Sequence, residues 1–169
     1  MPASDRPREK RSQVQAEGAC VCGAVRFEID VPAVWAWHDH GPASRHAQGC
    51  AYATYVGSWK SRFRMLAGED QITRYEDPDL GTARSFCARC GTPLFYERAR
   101  SPKMLNIPRP LFATRTGREP RYHLNLSQQA DWIYLGEPLG PLKGYPGVMI
   151  ERPRKTTRGG QALRFIRAT

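Results

Sequence analysis

Two pairs of cysteines, far apart in the chain, constrain the fold of this sequence more than any other feature. Cys20 and Cys22 stand in GACVCG (18–23), and Cys87 and Cys90 stand in FCARCG (86–91). Two thiols one residue apart cannot complete a metal site alone, and a disulfide between them would be strained. Together, however, the two pairs supply the four thiolates that zinc prefers at a closed tetrahedral site. The sequence therefore predicts a structural zinc that closes the intervening residues into a loop.

The alternative is that these cysteines are buried or redox-active, as in a thioredoxin-like Cys-x-x-Cys. That motif belongs beside a βαβ unit, whereas β patterns flank residues 86–91 on both sides. The count of five cysteines is odd, which argues against a disulfide framework. The first residues form no apolar signal segment, and no apolar run is long enough to span a bilayer. These observations predict a cytosolic protein without membrane contact, in which thiols stay reduced and available to a metal.

The basic charge of the chain is concentrated at its two ends. The formal net charge is +10, and most of the excess lies in residues 1–16 and 151–169, largely as arginine. Such a tail can bind nucleic acid non-specifically through the phosphates, or it can simply keep the protein in solution. The 169 residues fit one domain. The predicted organisation is a mobile basic N-terminal tail (1–16), one zinc-binding domain (17–150) and a basic C-terminal tail (151–169).

Between the tails, the secondary-structure signals are mostly β. In AVRFEID (24–30), apolar residues alternate with charged ones, as in a half-buried strand. The strands predicted from alternation and composition are 24–30, 50–59, 82–87, 93–98 and 103–108. Residues 62–76 predict a hairpin that turns at Gly68–Asp70. Because 14 prolines and 15 glycines interrupt nearly every helical window, the predicted fold is mainly β with few or no long helices.

The cysteine motifs belong to longer segments that carry a family resemblance. These segments are GACVCGAVRFEID, FRMLAGEDQITRYE and RSFCARCGTPLFY, with a weaker continuation in EPRYHLNLSQQADW. They resemble the glutathione-dependent formaldehyde-activating (GFA) family, which also contains centromere protein V-like proteins, over most of residues 18–147. The weaker segment is similar to the family's Pro-x-x-His segment that ends in Trp. The resemblance implies a β-tent fold of antiparallel sheets and a structural zinc at the residues matching Cys20, Cys22, Cys87 and Cys90.

The resemblance also implies where the chemistry of the family lies, and this sequence departs from the family there. Members usually carry a Cys-His-Cys-x-x-Cys segment that holds a second, catalytic zinc, thought to engage a glutathione–aldehyde adduct. Without gaps, that segment falls on DHGPAS (39–44). Asp39, Gly41 and Ser44 take the three cysteine positions, and His40 keeps the middle one. A tetrahedral thiolate site cannot be built from these residues, so the sequence predicts that the usual catalytic site is replaced.

The replaced segment is rich in other metal-ligating side chains. WHDHGPASRHAQGC (37–50) contains His38, His40, His46 and Cys50, which could hold a second zinc or an iron with an open position for substrate. Alternatively, the histidines satisfy hydrogen bonds in a Gly-Pro loop and Cys50 packs inside the following strand. His40 and Cys50 are the candidate catalytic residues. His123, in RYHLNL, is expected to be a buried core histidine.

Two functions follow from these patterns and remain open. The first is a GFA-like carbon–sulfur lyase that acts on a small thiol–aldehyde adduct, with zinc and with glutathione or another small thiol as cofactor. Arg84, Arg89 and Arg98 could then hold the carboxylates of a peptide-like thiol, although such arginines commonly face solvent. The second is a noncatalytic zinc-binding module whose basic tail contacts nucleic acid or another acidic partner. The number of bound metal ions would discriminate between them.

Overall fold

The structure, a computed structural model, describes residues 14–133 and 139–151, in which β-strands are the main regular secondary structure. The strands are β1 (Gln15–Ala19), β2 (Arg26–Asp30), β3 (Trp35–Asp39), β4 (Ala53–Trp59), β5 (Phe63–Ala67), β6 (Ile72–Asp77), β7 (Thr82–Cys87), β8 (Pro93–Arg98), β9 (Met104–Pro108), β10 (Tyr122–Leu124), β11 (Leu139–Pro141) and β12 (Met149–Glu151). One short α-helix, α1 (Pro42–Gln48), joins β3 to β4. The prediction of a mainly β fold without long helices is confirmed.

The strands form two open sheets. The small sheet has the order β1-β2-β5, and the large sheet has the order β11-β12-β10-β3-β4-β9-β8-β7-β6. All neighbours pair antiparallel except β3 and β10, which run parallel, with Tyr122 opposite Trp37. Apart from this pair, the sheets are antiparallel, as the family resemblance implied. Parallel neighbours need a long connection, and here all of β4 to β9 lies between them in the chain.

The main core lies between the two sheets. Alternation in β2 buries Phe27 and Ile29 completely, while the residues between them point away from the core. The Phe27 ring lies 5.3 Å from that of Phe95 on the large sheet and 5.6 Å from that of Phe112. Full burial of a phenylalanine side chain contributes about 1.5–3 kcal/mol. The aromatic contacts of Phe27 therefore fix how the small sheet sits on the large one.

The segment predicted as a hairpin, residues 62–76, contains two strands that belong to different sheets. β5 pairs with β2, whereas β6 pairs with β7, so the hairpin prediction is wrong although both strands exist. The chain leaves the small sheet at Gly68, whose φ is +76°. A Cβ atom there would lie 2.1 Å from the carbonyl oxygen of Ala24. Only glycine fits this close approach, and the turn directs the chain away from β5 instead of back along it.

The face of the large sheet that points away from the small sheet, called here the outer face, carries a row of aromatic side chains. The Trp37 ring lies 4.9 Å from Trp35 and 5.5 Å from Tyr55, and Tyr55 lies 5.5 Å from Tyr96. Trp37 and Tyr55 are fully buried. The α1 side chain of Gln48 reaches the Tyr55 hydroxyl at 3.5 Å, so α1 lies over this face. The outer face thus holds a second, smaller core.

The predicted tails lie almost wholly outside the described residues. The described chain begins at Val14 and has β1 from Gln15 onwards, two residues before the predicted domain boundary at 17. At the other end, β12 finishes at Glu151. Among the helices of residues 14–133 and 139–151, none is long and apolar enough to cross a bilayer.

Candidate metal centre and the neighbouring cleft

The four predicted ligand cysteines converge on one point. The sulfur atoms of Cys20, Cys22, Cys87 and Cys90 all lie within 4.8 Å of one another. The Sγ atoms of Cys20 and Cys22 are 3.5 Å apart, and those of Cys22 and Cys87 are 3.9 Å apart. Four sulfurs at about 2.3 Å from a tetrahedral zinc would lie about 3.8 Å from one another. The donor set and its spacing therefore fit a tetrahedral metal ion.

Two similar turns present these sulfurs. In the first, the Gly23 N–H donates to the Cys20 carbonyl at 3.0 Å; in the second, the Gly91 N–H donates to the Cys87 carbonyl at 2.8 Å. Gly23 and Gly91 have φ values of +73° and +70°, a region that other residues rarely adopt. Each motif thus ends in the glycine that its turn requires. In each turn the first cysteine is buried and the second is exposed.

Thr92 joins the two turns and was not singled out from the sequence. Its buried side-chain oxygen accepts the Val21 N–H at 3.2 Å and lies 3.1 Å from the Cys90 sulfur. A hydroxyl has one proton to donate beside its acceptor positions, so Thr92 can donate to the sulfur once Cys90 is a thiolate. The Thr92 hydroxyl and backbone lower the pKa of the Cys90 thiol to about 5. Such hydrogen bonds around a ligand orient it and hold it as thiolate.

The segment at residues 39–44 is closed by hydrogen bonds to one carboxylate. Asp39 accepts from the Gly41 N–H at 3.0 Å, from the Ser44 hydroxyl at 2.8 Å and from the Asn125 side-chain amide at 2.8 Å. Asp39 and Ser44 are buried, with 7% and 3% of their surface exposed. Two of the three positions aligned with cysteines, Asp39 and Ser44, are thus bonded to each other directly. We call Asp39, Gly41, Ser44 and Asn125 the Asp39 network.

Helix α1 gives this segment its shape, although the sequence suggested a loop. Pro42 occupies the first turn, where its missing N–H and fixed φ are harmless. Gly49 ends the helix in the left-handed region, with φ +59°. Proline at the start and glycine at the end are the signals that could have predicted it. The helix is only seven residues long, too short to show an apolar periodicity.

The histidines of the segment do not gather as the sequence suggested. His40 Nε2 lies 2.9 Å from His123 Nδ1, and the His38 ring lies 4.7 Å from the His123 ring. His46 is exposed on α1, and Cys50 packs against the buried cluster of Trp37 and Tyr55. His38 Nδ1 contacts the Thr54 hydroxyl at 2.9 Å. Within the described ranges 14–133 and 139–151, only the four cysteines form a group of metal-ligating atoms with this spacing.

His40 and its partner are buried and close together. His40 has no exposed surface and His123 has 3%. Burial, followed by the nearby His123 and His38, lowers the pKa of His40 to about 4. His40 is therefore neutral at physiological pH, and one of the two facing ring nitrogens donates while the other accepts. The inward position of His123 agrees with its expected place in the core.

Arginines and tyrosines line the outer face beside the Asp39 network. The Arg84 guanidinium lies 4.3 Å from the centre of the Tyr96 ring and donates to the Tyr55 hydroxyl at 3.2 Å. Asp39 is close enough to influence the pKa values of Tyr96 and Arg98 electrostatically. Arg89, by contrast, is exposed in the second cysteine turn. Of the three predicted arginines, Arg84 and Arg98 thus lie on the outer face.

Comparisons with known proteins agree with this architecture. The model of the glutathione-dependent formaldehyde-activating enzyme family matches residues 15–128. A Halomonas elongata protein named "Putative glutathione-dependent formaldehyde-activating enzyme" is 27% identical over 124 residues, which are 69% of this chain and 78% of that protein. A crystal structure of a Rhodobacter sphaeroides protein superposes with a TM-score of 0.51 at 22% identity, covering 59% of this chain and 89% of that one. The last similarity concerns the fold alone.

Proposed function

This chain belongs to the glutathione-dependent formaldehyde-activating enzyme family, and we propose that it is a carbon–sulfur lyase acting on a small thiol–aldehyde adduct without a second, thiolate-bound metal. Family membership and the name of the Halomonas elongata relative support the reaction class. The observation that carries the proposed route is the Asp39 network. It closes the segment aligned with the family's second zinc site through hydrogen bonds, at distances from 2.8 to 3.0 Å.

The cysteine cluster would hold one zinc ion, and its role would be structural. Four thiolates in a tetrahedron are the donor set of closed structural zinc sites, which leave no coordination position for a substrate. A bound zinc would join the turn before β2 to the turn before β8 and hold the two sheets together. The proposed reaction therefore takes place elsewhere, and we assign its groups to the Asp39 network.

The reaction requires two proton movements around one carbon–sulfur bond. In the adduct, the hydroxyl loses its proton and the carbon–oxygen double bond forms. The carbon–sulfur bond breaks with its electron pair on sulfur, and the thiolate then takes up a proton. A carboxylate has about four acceptor positions, and Asp39 uses three for the donors of its network. The remaining position, next to the Ser44 hydroxyl, would accept the hydroxyl proton of the adduct and return it to sulfur.

The sequence named His40 and Cys50 as candidate catalytic residues, and we propose Asp39 in their place. His40 adjoins Asp39 in the chain, but its ring is completely buried and Nε2 is engaged by His123. Burial raises the pKa of the Cys50 thiol, so Cys50 is protonated at neutral pH. We therefore assign His40 a positioning role in the segment. The predicted second metal on His38, His40, His46 and Cys50 would require these side chains to rearrange.

The test combines metal analysis with an assay of adduct breakdown. Purified protein should contain one zinc per chain and should release free thiol from the hydroxymethyl adduct of glutathione faster than the uncatalysed reaction. Asp39→Asn should lose about 10²–10⁴-fold in activity, the usual contribution of a positioned acid–base group, and keep its zinc. Asp70→Asn, at an exposed carboxylate, is the matched control. No turnover by the wild-type protein refutes the lyase; two zinc ions per chain refute the one-metal route.

A gain-of-metal variant sharpens the same test. Replacing Asp39, Gly41 and Ser44 together by cysteine restores the family's Cys-His-Cys-x-x-Cys pattern, and this variant should bind a second zinc. Failure to bind it, in a variant that folds and keeps the first zinc, would show that the surroundings and not the three residues prevent metal binding. The proposed reason for the missing metal would then be wrong.

The replaced thiolates also favour the second candidate, a noncatalytic zinc module that contacts nucleic acid or another acidic partner through residues 151–169. Its support is the basic charge of that segment. In either case, a zinc–thiolate site together with an odd number of reduced cysteines suits the cytosol. The cytosolic location stays a prediction.

A further inference from the structure

A cavity with an excess of positive charge opens on the outer face of the large sheet. Its volume is about 300 Å³, and its lining includes Thr82, Tyr96, Arg98 and Arg100. The pairing of β7 with β8 sets Thr82 opposite Arg98 and Arg84 opposite Tyr96. Alternation along both strands therefore puts these four side chains on the same face. We call this space the Arg98 cavity.

The arginines at the Arg98 cavity are not paired with carboxylates among residues 14–133 and 139–151. None of Arg84, Arg98 and Arg100 forms an ion pair with a described carboxylate. The Nε atom of Arg98 is buried and has no hydrogen-bond partner there. Burial, followed by the charge of Arg100, lowers the pKa of the Arg98 guanidinium. A buried, uncompensated charge is unfavourable, so an anion that enters the cavity gains a strong interaction.

A neighbouring cavity shows the contrast. It measures about 540 Å³ and includes Lys60, Arg74 and Glu97 in its lining. There Lys60 and Arg74 both pair with Glu97, and Arg74 also pairs with Glu76 at 3.0 Å. Lys60 and Arg74 are therefore balanced by the protein itself, whereas Arg98, which lines both cavities, forms no ion pair with a described carboxylate. The Arg98 cavity lacks such carboxylates, and this difference singles it out as the place where an external anion would be bound.

Arg84, which stands opposite the cavity-lining Tyr96, is held in place by the aromatic row. Arg84 stacks on the Tyr96 ring at 4.3 Å while it donates to Tyr55, so its orientation is fixed before any ligand arrives. Burial raises the pKa of Tyr96, and its hydroxyl keeps its proton. A carboxylate or a phosphate offers the paired oxygens that a guanidinium fork recognises. Donors that are already ordered cost less entropy on binding.

We propose that the Arg98 cavity binds a small oxyanion, and that in the full reaction this anion is a carboxylate of the thiol part of the adduct. The first half of the proposal is independent of catalysis; the second half rests on the proposed function. Arg98 would then be a specificity-determining residue, because a thiol without a carboxylate gains nothing from the cavity.

The binding test uses the full-length protein with two simple anions, succinate and inorganic phosphate. Backbone amide signals are followed by NMR while each anion is added, and the shifts at Leu80, Tyr96 and Arg100, which line this cavity and not the neighbouring one, report on the cavity. Succinate should shift these signals, and Arg98→Met should weaken succinate at least about tenfold, as expected for loss of a charged hydrogen-bond pair. Arg98→Lys should retain part of the affinity. Arg26→Met is the matched control because Arg26 is exposed on the small sheet.

Each outcome decides the proposal. If only phosphate shifts the signals, the proposal that the bound anion is a carboxylate is wrong. If succinate binds wild type and Arg98→Met equally well, Arg98 does not form the site. If neither anion shifts the signals, both halves of the proposal are wrong. The kinetic arm compares the hydroxymethyl adducts of glutathione and of 2-mercaptoethanol, which has no carboxylate. Arg98→Met should raise KM at least about tenfold for the first adduct alone. If neither adduct is turned over by the wild type, the lyase proposal fails while succinate binding still tests the cavity.

Discussion

Replacing Cys87 by serine tests the link between the two sheets most directly. Cys87 is fully buried, ends β7 and lies 65 residues from Cys22 in the chain. A metal ion that joins these two positions restricts the unfolded chain much as a disulfide would. For a loop of this length, the loop-closure relation gives about 4 kcal/mol at 25 °C. This value is a lower bound, because structural zinc in small domains contributes about 10–16 kcal/mol.

The expected effect is large compared with the stability of the whole domain, about 5–15 kcal/mol. For a chain of this size, each kcal/mol shifts the melting temperature by about 2–4 °C. Cys87→Ser should therefore lose its metal and melt at least about 8–16 °C below the wild-type protein, or fail to fold at all. Metal content is measured by inductively coupled plasma mass spectrometry, and melting by circular dichroism.

Cys50→Ser is the matched control for this experiment. Cys50 is partly buried but lies outside the four-cysteine cluster, so the substitution changes the same atom without touching the metal centre. It should retain the metal and cost about 1–3 kcal/mol at most, the penalty of burying an unsatisfied hydroxyl. A Cys87→Ser protein with full metal content and a melting temperature like that of Cys50→Ser would refute the metal centre.

Three further predictions follow from named contacts. Thr92→Val removes the hydroxyl between Val21 and Cys90 and should weaken zinc binding about 10–100-fold in a chelator competition assay; unchanged affinity would contradict its role. The pKa of His40 falls from 6.5 unfolded to about 4 folded, so the unfolded state binds more protons between these values. The free energy of unfolding should therefore decrease by roughly 3 kcal/mol as the pH falls from 6.5 to 4. Urea titrations at several pH values measure this decrease, and His40→Gln should lack the part that is due to His40. An identical pH dependence in both proteins would disprove the lowered pKa of His40. Deletion of residues 152–169, which leaves β12 intact, should abolish any salt-sensitive DNA binding without changing the melting temperature, and comparable affinity after deletion would exclude the tail as the contact.

The sequence by itself determined the ligand set of the metal centre and most of the strands. A cysteine side chain can supply a thiolate wherever it lies in the fold. The glycine that follows each cysteine pair determines the turn that the pair adopts, without help from distant residues. The alternation in β2 likewise depends only on neighbours along the chain. For this reason the four sulfurs were found where the motifs indicated, within 4.8 Å of one another. Neither cysteine pair can complete a tetrahedral metal site alone. The sequence therefore also implies that the two turns face each other.

Strand pairing and the composition of the cleft were decided only by the tertiary structure. The sequence predicts that β5 and β6 form a hairpin. The close approach of Gly68 to the backbone of Ala24 instead directs the chain away from β5, and the two strands belong to different sheets. His40 contacts His123, 83 residues away, and Asp39 is held by Asn125, 86 residues away, because β3 and β10 pair parallel. Alternation along a strand reveals which residues share a face, but not which strand lies beside it. The partners of Asp39, His40 and Arg98 therefore depend on sheet order, which no local pattern encodes.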